Sequence, residues 1–173
     1  MSIINWACSS VIEHIGIWEE AGLSGIPARI DAQIRCDIEA LIYEHAWLID
    51  HHQSDRLHEL YTENGRLTGI SLNHVGREAI RGYGAGRAKQ TNRFARHVCS
   101  NLRLMPVSES RVQGFLTITL FRHDGPGGPA EPCAVADAYD TYVRGDDGQW
   151  RLEERRLELV FESEAHKTPP KKG

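Results

Sequence analysis

The chain is short of the features that mark many functional classes. Its four cysteines, Cys8, Cys36, Cys99 and Cys133, are scattered, with no CxxC pair and no short metal-ligand spacing. That argues against a disulfide scaffold or a zinc site and for reduced thiols. No apolar run approaches the roughly 18 residues that cross a bilayer. No basic region precedes the short apolar stretch in MSIINWACSSVIEHIG, so no signal peptide is expected and a cytoplasmic location follows by default. Basic residues are not in excess: the formal net charge is −4, which suits neither nucleic acid nor an anionic membrane. GxGxxG, P-loop, HExxH and GxSxG patterns are missing, and no His/carboxylate triad has a readable iron spacing. Gly82-Tyr83-Gly84-Ala85-Gly86 is glycine-rich but does not follow a strand. The expectation is therefore chemistry with no cofactor and no metal. Internal repeats are absent, and only the Pro/Lys-rich end has low complexity.

What remains is an ordinary globular chain of 173 residues, 40% hydrophobic and 25% charged. It is about one domain long, able to bury roughly two-thirds of its unfolded surface. Residues 1–26 form an apolar N-terminal extension, broken by Gly22-Leu23-Ser24-Gly25-Ile26-Pro27, and read as a packing arm. The main domain spans 27–163, and 164–173 read as a disordered tail. From Arg29 to about His52, apolar residues recur at spacings of three and four and predict a long helix. Ser54-Asp55 can cap a second helix carrying Leu57, Leu60 and Tyr61. Asn64-Gly65 signals a turn, with a short strand near Arg66–Ile70 and a third helix from Gly76 towards Lys89. Phe94–Val107, Arg111–His123, Ala134–Arg144 and Trp150–Phe161 then read as four long antiparallel strands in a meander. Helices followed by a meander predict an α+β fold, in which a curved antiparallel sheet wraps a long N-terminal helix and leaves a conical pocket.

Two residues stand out as chemistry. Asp50 ends the long helix after Leu48-Ile49, and Ala46 or Trp47, then Tyr43, share its face by helical spacing. A carboxylate facing inward needs a partner. His97 can supply it, on a strand where alternation places His97, Cys99, Asn101 and Arg103 on one face. An Asp–His pair in a dry pocket is an acid–base unit, in which the carboxylate fixes the imidazole and stabilises its protonated form. The same residues also fit a capping Asp and a satisfied core His, and spacing alone does not choose between them. Tyr43, Trp47 and Phe115 are expected to line an apolar wall, and His45 or Asn101 to hold a substrate oxygen. His123 is a further candidate at a strand end. One of Arg155 and Arg156 must face inward. The remaining histidines are expected at the surface.

The order of motifs resembles a known family. It comprises the Asp37–Asp50 helix, Leu57-His58-Glu59-Leu60-Tyr61-Thr62-Glu63-Asn64-Gly65, Gly76-Arg77-Glu78-Ala79-Ile80, Arg96-His97-Val98-Cys99-Ser100-Asn101-Leu102-Arg103-Leu104 and Asp147-Gly148-Gln149-Trp150-Arg151-Leu152. Together, over roughly residues 31–161, they are similar to the SnoaL-like branch of the nuclear transport factor 2-like superfamily. The resemblance implies a cone-shaped α+β barrel assembled as a homodimer or homotrimer. The branch includes scytalone dehydratase and hexachlorocyclohexane dehydrochlorinase, cofactor-independent lyases with an Asp–His pair. The helix Asp matches Asp50, the strand His matches His97, and a basic helix residue falls near His45. Ile49 stands where the scytalone enzyme has a Tyr, and His123 matches its second His only approximately, which points away from scytalone as substrate. The implied activity is elimination of water, halide or a small carbonyl fragment such as formaldehyde from an apolar aromatic or alicyclic metabolite, or an isomerisation. The pattern also resembles the non-catalytic small subunit of aromatic-ring dioxygenases, whose cone would be plugged, and a ligand-binding module with the same cone.

Overall fold

A computed structural model describes residues 29–163. The expected N-terminal arm and C-terminal tail lie outside the described residues.

Helix α1 (Ala32–Asp50) begins where Asp31 accepts hydrogen bonds from the backbone N–H groups of Gln33 and Ile34, at 2.8 and 3.2 Å. Its inward stripe is Ile38, Leu41, Ile42, His45 and Leu48, at the three-and-four spacing that one helix face requires. A 3₁₀ segment, Ser54–Leu60, takes the place of the second expected helix. Tyr61 then opens strand β1 (Tyr61–Gly69) instead of closing a helix. Asn64-Gly65 makes no reverse turn. It lies inside β1, where the register against the neighbouring strand shifts between Tyr61 and Arg66. The reversal comes later, at Gly69-Ile70-Ser71, all with positive φ, and produces the short strand β2 (Leu72–Val75).

Helix α2 (Arg77–Ala88) follows. The long strands β3 (Arg93–Ser108), β4 (Arg111–Asp124), β5 (Ala134–Arg144) and β6 (Trp150–Glu162) fall where their Val, Leu, Thr and aromatic content places them. The sheet order is β2-β1-β6-β5-β4-β3. β3 to β6 form the antiparallel meander, while β1 joins β6 in parallel, so the sheet is mixed at that edge. The α+β cone is as expected, with α1 against the concave face: Ile38, Leu41 and Ile42 share one core with Leu104, Leu116, Tyr142 and Leu152.

Two bulges set which side chains enter that face. In β3 the register against β4 slips between Ser100 and Arg103, with Asn101 in the left-handed region at φ 55°. Before the slip, Ala95, His97 and Cys99 turn inward; after it, Leu102 and Leu104 do. In β6 the pairing with β5 slips between Thr141 and Tyr142, so buried Trp150 and Leu152 are followed by buried Arg155 rather than Arg156.

The three glycines of α2 differ in their surroundings. A Cβ on Gly84 would meet the Ser54 carbonyl oxygen at 1.9 Å, whereas Gly82 and Gly86 face open space. Gly84→Ala should therefore cost about 1–3 kcal/mol through forced separation of α2 from the 3₁₀ segment. Gly82→Ala and Gly86→Ala should each stabilise by up to about 1 kcal/mol. Urea unfolding of the three variants checks the opposite signs.

Candidate active site

Between α1, α2 and the concave sheet lies a cavity of about 560 Å³, within the range of small-molecule sites. Its walls are largely apolar, with Ala46 and Ile49 from α1, Tyr83 from α2, and Leu67, Ile118 and Leu157 from the sheet. Ile70 forms part of the rim, with a φ of 46° that a β-branched residue rarely adopts. The polar groups in the lining include His45, His97, Arg87 and Arg155.

Asp50 is buried, and both of its carboxylate oxygens are engaged by one residue. The His97 backbone N–H donates to Oδ2 at 2.8 Å, and His97 Nδ1 lies 2.6 Å from Oδ1. Because a carboxylate only accepts, Nδ1 carries the proton and donates, which leaves Nε2 with its lone pair. Asp50 stands at the C-terminal end of α1, where a negative charge is unfavourable. Burial also works against its ionised form, but the bonds and charge of His97, with Arg96 nearby, outweigh it and hold the carboxyl below the usual aspartate pKa. Arg96 in addition reaches the Asp50 carbonyl at 3.4 Å.

A second imidazole stands in a different environment. His45 is buried, and its Nε2 lies 3.0 Å from the Tyr61 hydroxyl. Burial, then the nearby charges of Arg155 and His97, keep its pKa well below the ordinary value. His45 is therefore neutral at physiological pH. Burial likewise raises the Tyr61 pKa, so its hydroxyl keeps its proton. Arg155 is fixed by Asp140, with Nε–Oδ1 at 2.9 Å and Nη2–Oδ2 at 2.6 Å, and Tyr142 donates its hydroxyl to Asp140. This fully paired, bidentate buried unit fixes the Arg155 guanidinium at the cavity wall.

Of the residues anticipated for the site, the structure brings Asp50, His97 and His45 together and moves four others away. Tyr43 and Trp47 are 57% and 53% exposed. The inward stripe of α1 passes through His45, Ala46 and Ile49 instead, and Trp47 stacks on His51 with ring centroids 3.7 Å apart. Asn101 is turned outward by the β3 bulge, next to a groove with Arg35 and Glu39. Phe115 lies on the outer face of β4, since Leu116 and Ile118 take the inner positions, and packs edge-on to Tyr139. His123 is exposed, and its Nδ1–H donates to the Gly125 carbonyl. Arg155 faces in, while Arg156 covers the Tyr139 ring. Sequence reasoning missed Tyr61 and Asp140, which only the sheet pairing brings to His45 and Arg155. It also missed Arg87, whose spacing from Tyr83 on α2 was a usable sign. Among the described residues no group of three or more His, Cys, Asp or Glu could hold a metal ion, Cys36, Cys99 and Cys133 are free thiols, and no helix is long and apolar enough to cross a membrane.

The SnoaL-like domain model matches residues 31–156. The chain belongs to the SnoaL-like family. No curated protein matches it by sequence. Among solved structures it is similar to a candidate scytalone dehydratase from Novosphingobium aromaticivorans, with 21% identity, a TM-score of 0.67, and 82% of this chain and 95% of that one covered. LinA superposes with a TM-score of 0.64 at 22% identity over 80% and 95% of the two chains. A candidate aromatic ring hydroxylase from N. aromaticivorans gives 0.65 at 16% identity over 77% and 93%. At such identities these likenesses show the SnoaL-like, nuclear transport factor 2-like fold.

His45 makes the stability of this SnoaL-like protein depend on pH. Below the ordinary histidine value near 6.5, an unfolded chain takes up a proton that buried His45 refuses. Its contribution is fully present above about pH 6.5 and falls as the pH drops, by up to roughly 1.4 kcal/mol per unit. The contribution of Asp50, whose folded pKa is lowered, is present above about pH 4 and is lost only as the pH falls further. Urea unfolding between about pH 7.5 and 5 should show a loss that His45→Gln reduces; an unchanged slope in the variant would contradict the assignment.

Proposed function

We propose that this protein is a cofactor-independent lyase acting on a small apolar aromatic or alicyclic metabolite, with His97 as general base and Asp50 as its orienting partner. The observation that carries the proposal is the double attachment of His97 to Asp50 at the wall of an open cavity. With Nδ1–H committed to the carboxylate, Nε2 takes a proton from a substrate carbon. The electrons of the broken C–H bond form a new double bond, and the leaving group on the adjacent carbon departs with its own pair. Asp50 stabilises the imidazolium that results.

For loss of water the leaving oxygen needs a proton, and His97 returns one. For halide no such step is required. Loss of formaldehyde differs in its first bond: His97 takes the hydroxyl proton of a hydroxymethyl group, the O–H pair becomes the C=O of formaldehyde, the C–C pair passes to the carbon next to a carbonyl as an enolate, and His97 returns the proton there. Return of the proton to a different carbon gives an isomerase. Neutral His45, which borders the cavity and is held through Nε2 by the Tyr61 hydroxyl behind it, offers a hydrogen bond to a substrate oxygen without adding charge. The separation of roles between two imidazoles by environment is the pattern of acid–base sites. Neighbours named for scytalone dehydratase and for LinA agree with a catalytic use of the fold. A structural dioxygenase subunit would fill its cone with side chains, and the open volume here supports the lyase instead. The reading also includes a homodimer or homotrimer, which sedimentation equilibrium can measure.

Turnover of a panel of aryl and alicyclic β-hydroxy, β-halo and hydroxymethyl carbonyl compounds tests the reaction. For any active compound, His97→Ala should lower kcat about 10³-fold, and Asp50→Asn by at least about 10²-fold, with the fold retained and the melting temperature lowered, since each change strips a buried group of its partner. A His97→Ala protein that turns over within tenfold of the native enzyme would refute the proposal.

A further inference from the structure

Arg87 has no role in the proton transfer just described, yet it is built into the same cavity. It lies in the last turn of α2 and is only 8% exposed. Its Nη1 is buried without a hydrogen-bond partner, and no ion pair or hydrogen bond of its guanidinium is formed among the described residues. An arginine cannot shed its charge, and a buried charge without a counter-ion is costly. The other cationic groups here are placed differently. Arg155 is neutralised by Asp140, and Arg93 reaches Asp124 at 3.2 Å. Among the described residues that line the cavity there is no Asp or Glu, while Arg87, Arg93, Arg122 and Arg155 all do so. Burial, and then repulsion from Arg93, work against the charge of Arg87; Tyr83 and the Asp50 carboxylate act the other way without forming an ion pair with it, and that carboxylate is already bound to His97.

The helix beside Arg87 is shaped for a ligand. Gly82, Tyr83, Gly86, Arg87 and Gln90 share one face of α2 and its extension, and all of them border the cavity. Among the described residues, nothing lies within 4 Å of where a Cβ on Gly82 or Gly86 would stand. Two interior glycines weaken a helix against alanine, and what they leave is a bare strip of backbone along the cavity. Inorganic phosphate would meet mostly apolar wall here, so a charged group on a carbon skeleton fits better.

We infer that the ligand of this cavity is an organic acid: its ring lies along the Gly82–Gly86 strip, its carboxylate pairs with Arg87, and its reacting carbon faces His97. The last clause rests on the lyase reading; the first two do not, so they can be tested without turnover.

Benzoate is the probe, with benzamide as its neutral counterpart and inorganic phosphate as a second anion, measured by isothermal titration calorimetry and by the melting temperature of the full chain. Native protein should bind benzoate at least about tenfold more tightly than benzamide, the margin of a charge-assisted hydrogen bond. Arg87→Gln should remove that preference, Arg87→Lys should keep part of it, and His97→Ala should retain it. Saturating benzoate should raise the melting temperature of native protein and not that of Arg87→Gln. Without ligand, Arg87→Gln should melt no lower than native protein, since it removes a buried unpaired charge. The inference is overturned if Arg87→Gln binds benzoate as native protein does, if benzamide binds equally well, or if phosphate alone shows the dependence on Arg87. Loss of benzoate binding in Arg87→Gln, together with undiminished turnover in His97→Ala, would sink the lyase reading and leave the acid site standing.

Discussion

A carboxylate at the negative end of a helix is in the wrong place unless something holds it there. Asp50 is held by two bonds from one strand residue, and that attachment joins the end of α1 to β3 at the edge of the cavity. It fixes three things together: the ionised state of the acid, the tautomer of His97, and the direction in which the free ring nitrogen is available. The backbone N–H contact matters as much as the ring contact. A side-chain bond alone would let the imidazole swing with its rotamer, whereas a carboxylate bridging the N–H and the ring of one residue locks the rotamer to the strand. The bland alternative, a capping Asp and a packed His, does not need both oxygens on the same residue.

Around that pair the cavity separates two histidines by environment alone. His97 shares its proton with a carboxylate and keeps contact with the cavity; His45 sits beneath it in a dry setting next to a paired arginine and remains neutral. The buried Arg155–Asp140–Tyr142 unit does more than add stability. Replacing such a unit with apolar residues of equal volume is often tolerated. What an apolar replacement could not reproduce is the Arg155 guanidinium near His45, which adds to burial in holding that imidazole neutral.

The architecture was legible because it depends on long periodic signals. The three-and-four spacing from Ile34 to Ile49 and four strands bounded by turn residues are robust to local irregularity, and Asp50 and His97 belong to those elements. What was not legible depends on single-residue slips. Alternation counted straight through β3 places Asn101 inward; the bulge at Asn101 reverses the parity and gives Leu104 to the core. The same count in β6 would send Arg156 to the cavity, where the slip between Leu152 and Glu154 sends Arg155. Asn64-Gly65 carries a hairpin signature, yet it serves as an irregularity within a strand, because β1 must also meet β6 in parallel. Trp47 and Tyr43 shared a face with Asp50 by spacing, but α1 ends at that point, and the stripe that the sheet covers runs one residue to the side. In each case tertiary pairing decided what local chemistry left open.

The cone is common to proteins with different chemistry, so the elements that differ must choose the substrate. Here α1 and β3 carry the Asp50–His97 pair, whereas α2 shapes the space and its charge. Gly82 and Gly86 give up helix stability for room, and Arg87 gives up solvation for a place in the wall. Both choices run against what stability alone would select, on the same face of the same helix. Local rules are broken in this way where a ligand supplies the missing contacts. A surface that, among the described residues, lacks both a side chain and a paired counter-ion is complementary to something flat and negative, and that complementarity arises from α2 independently of the Asp50–His97 pair.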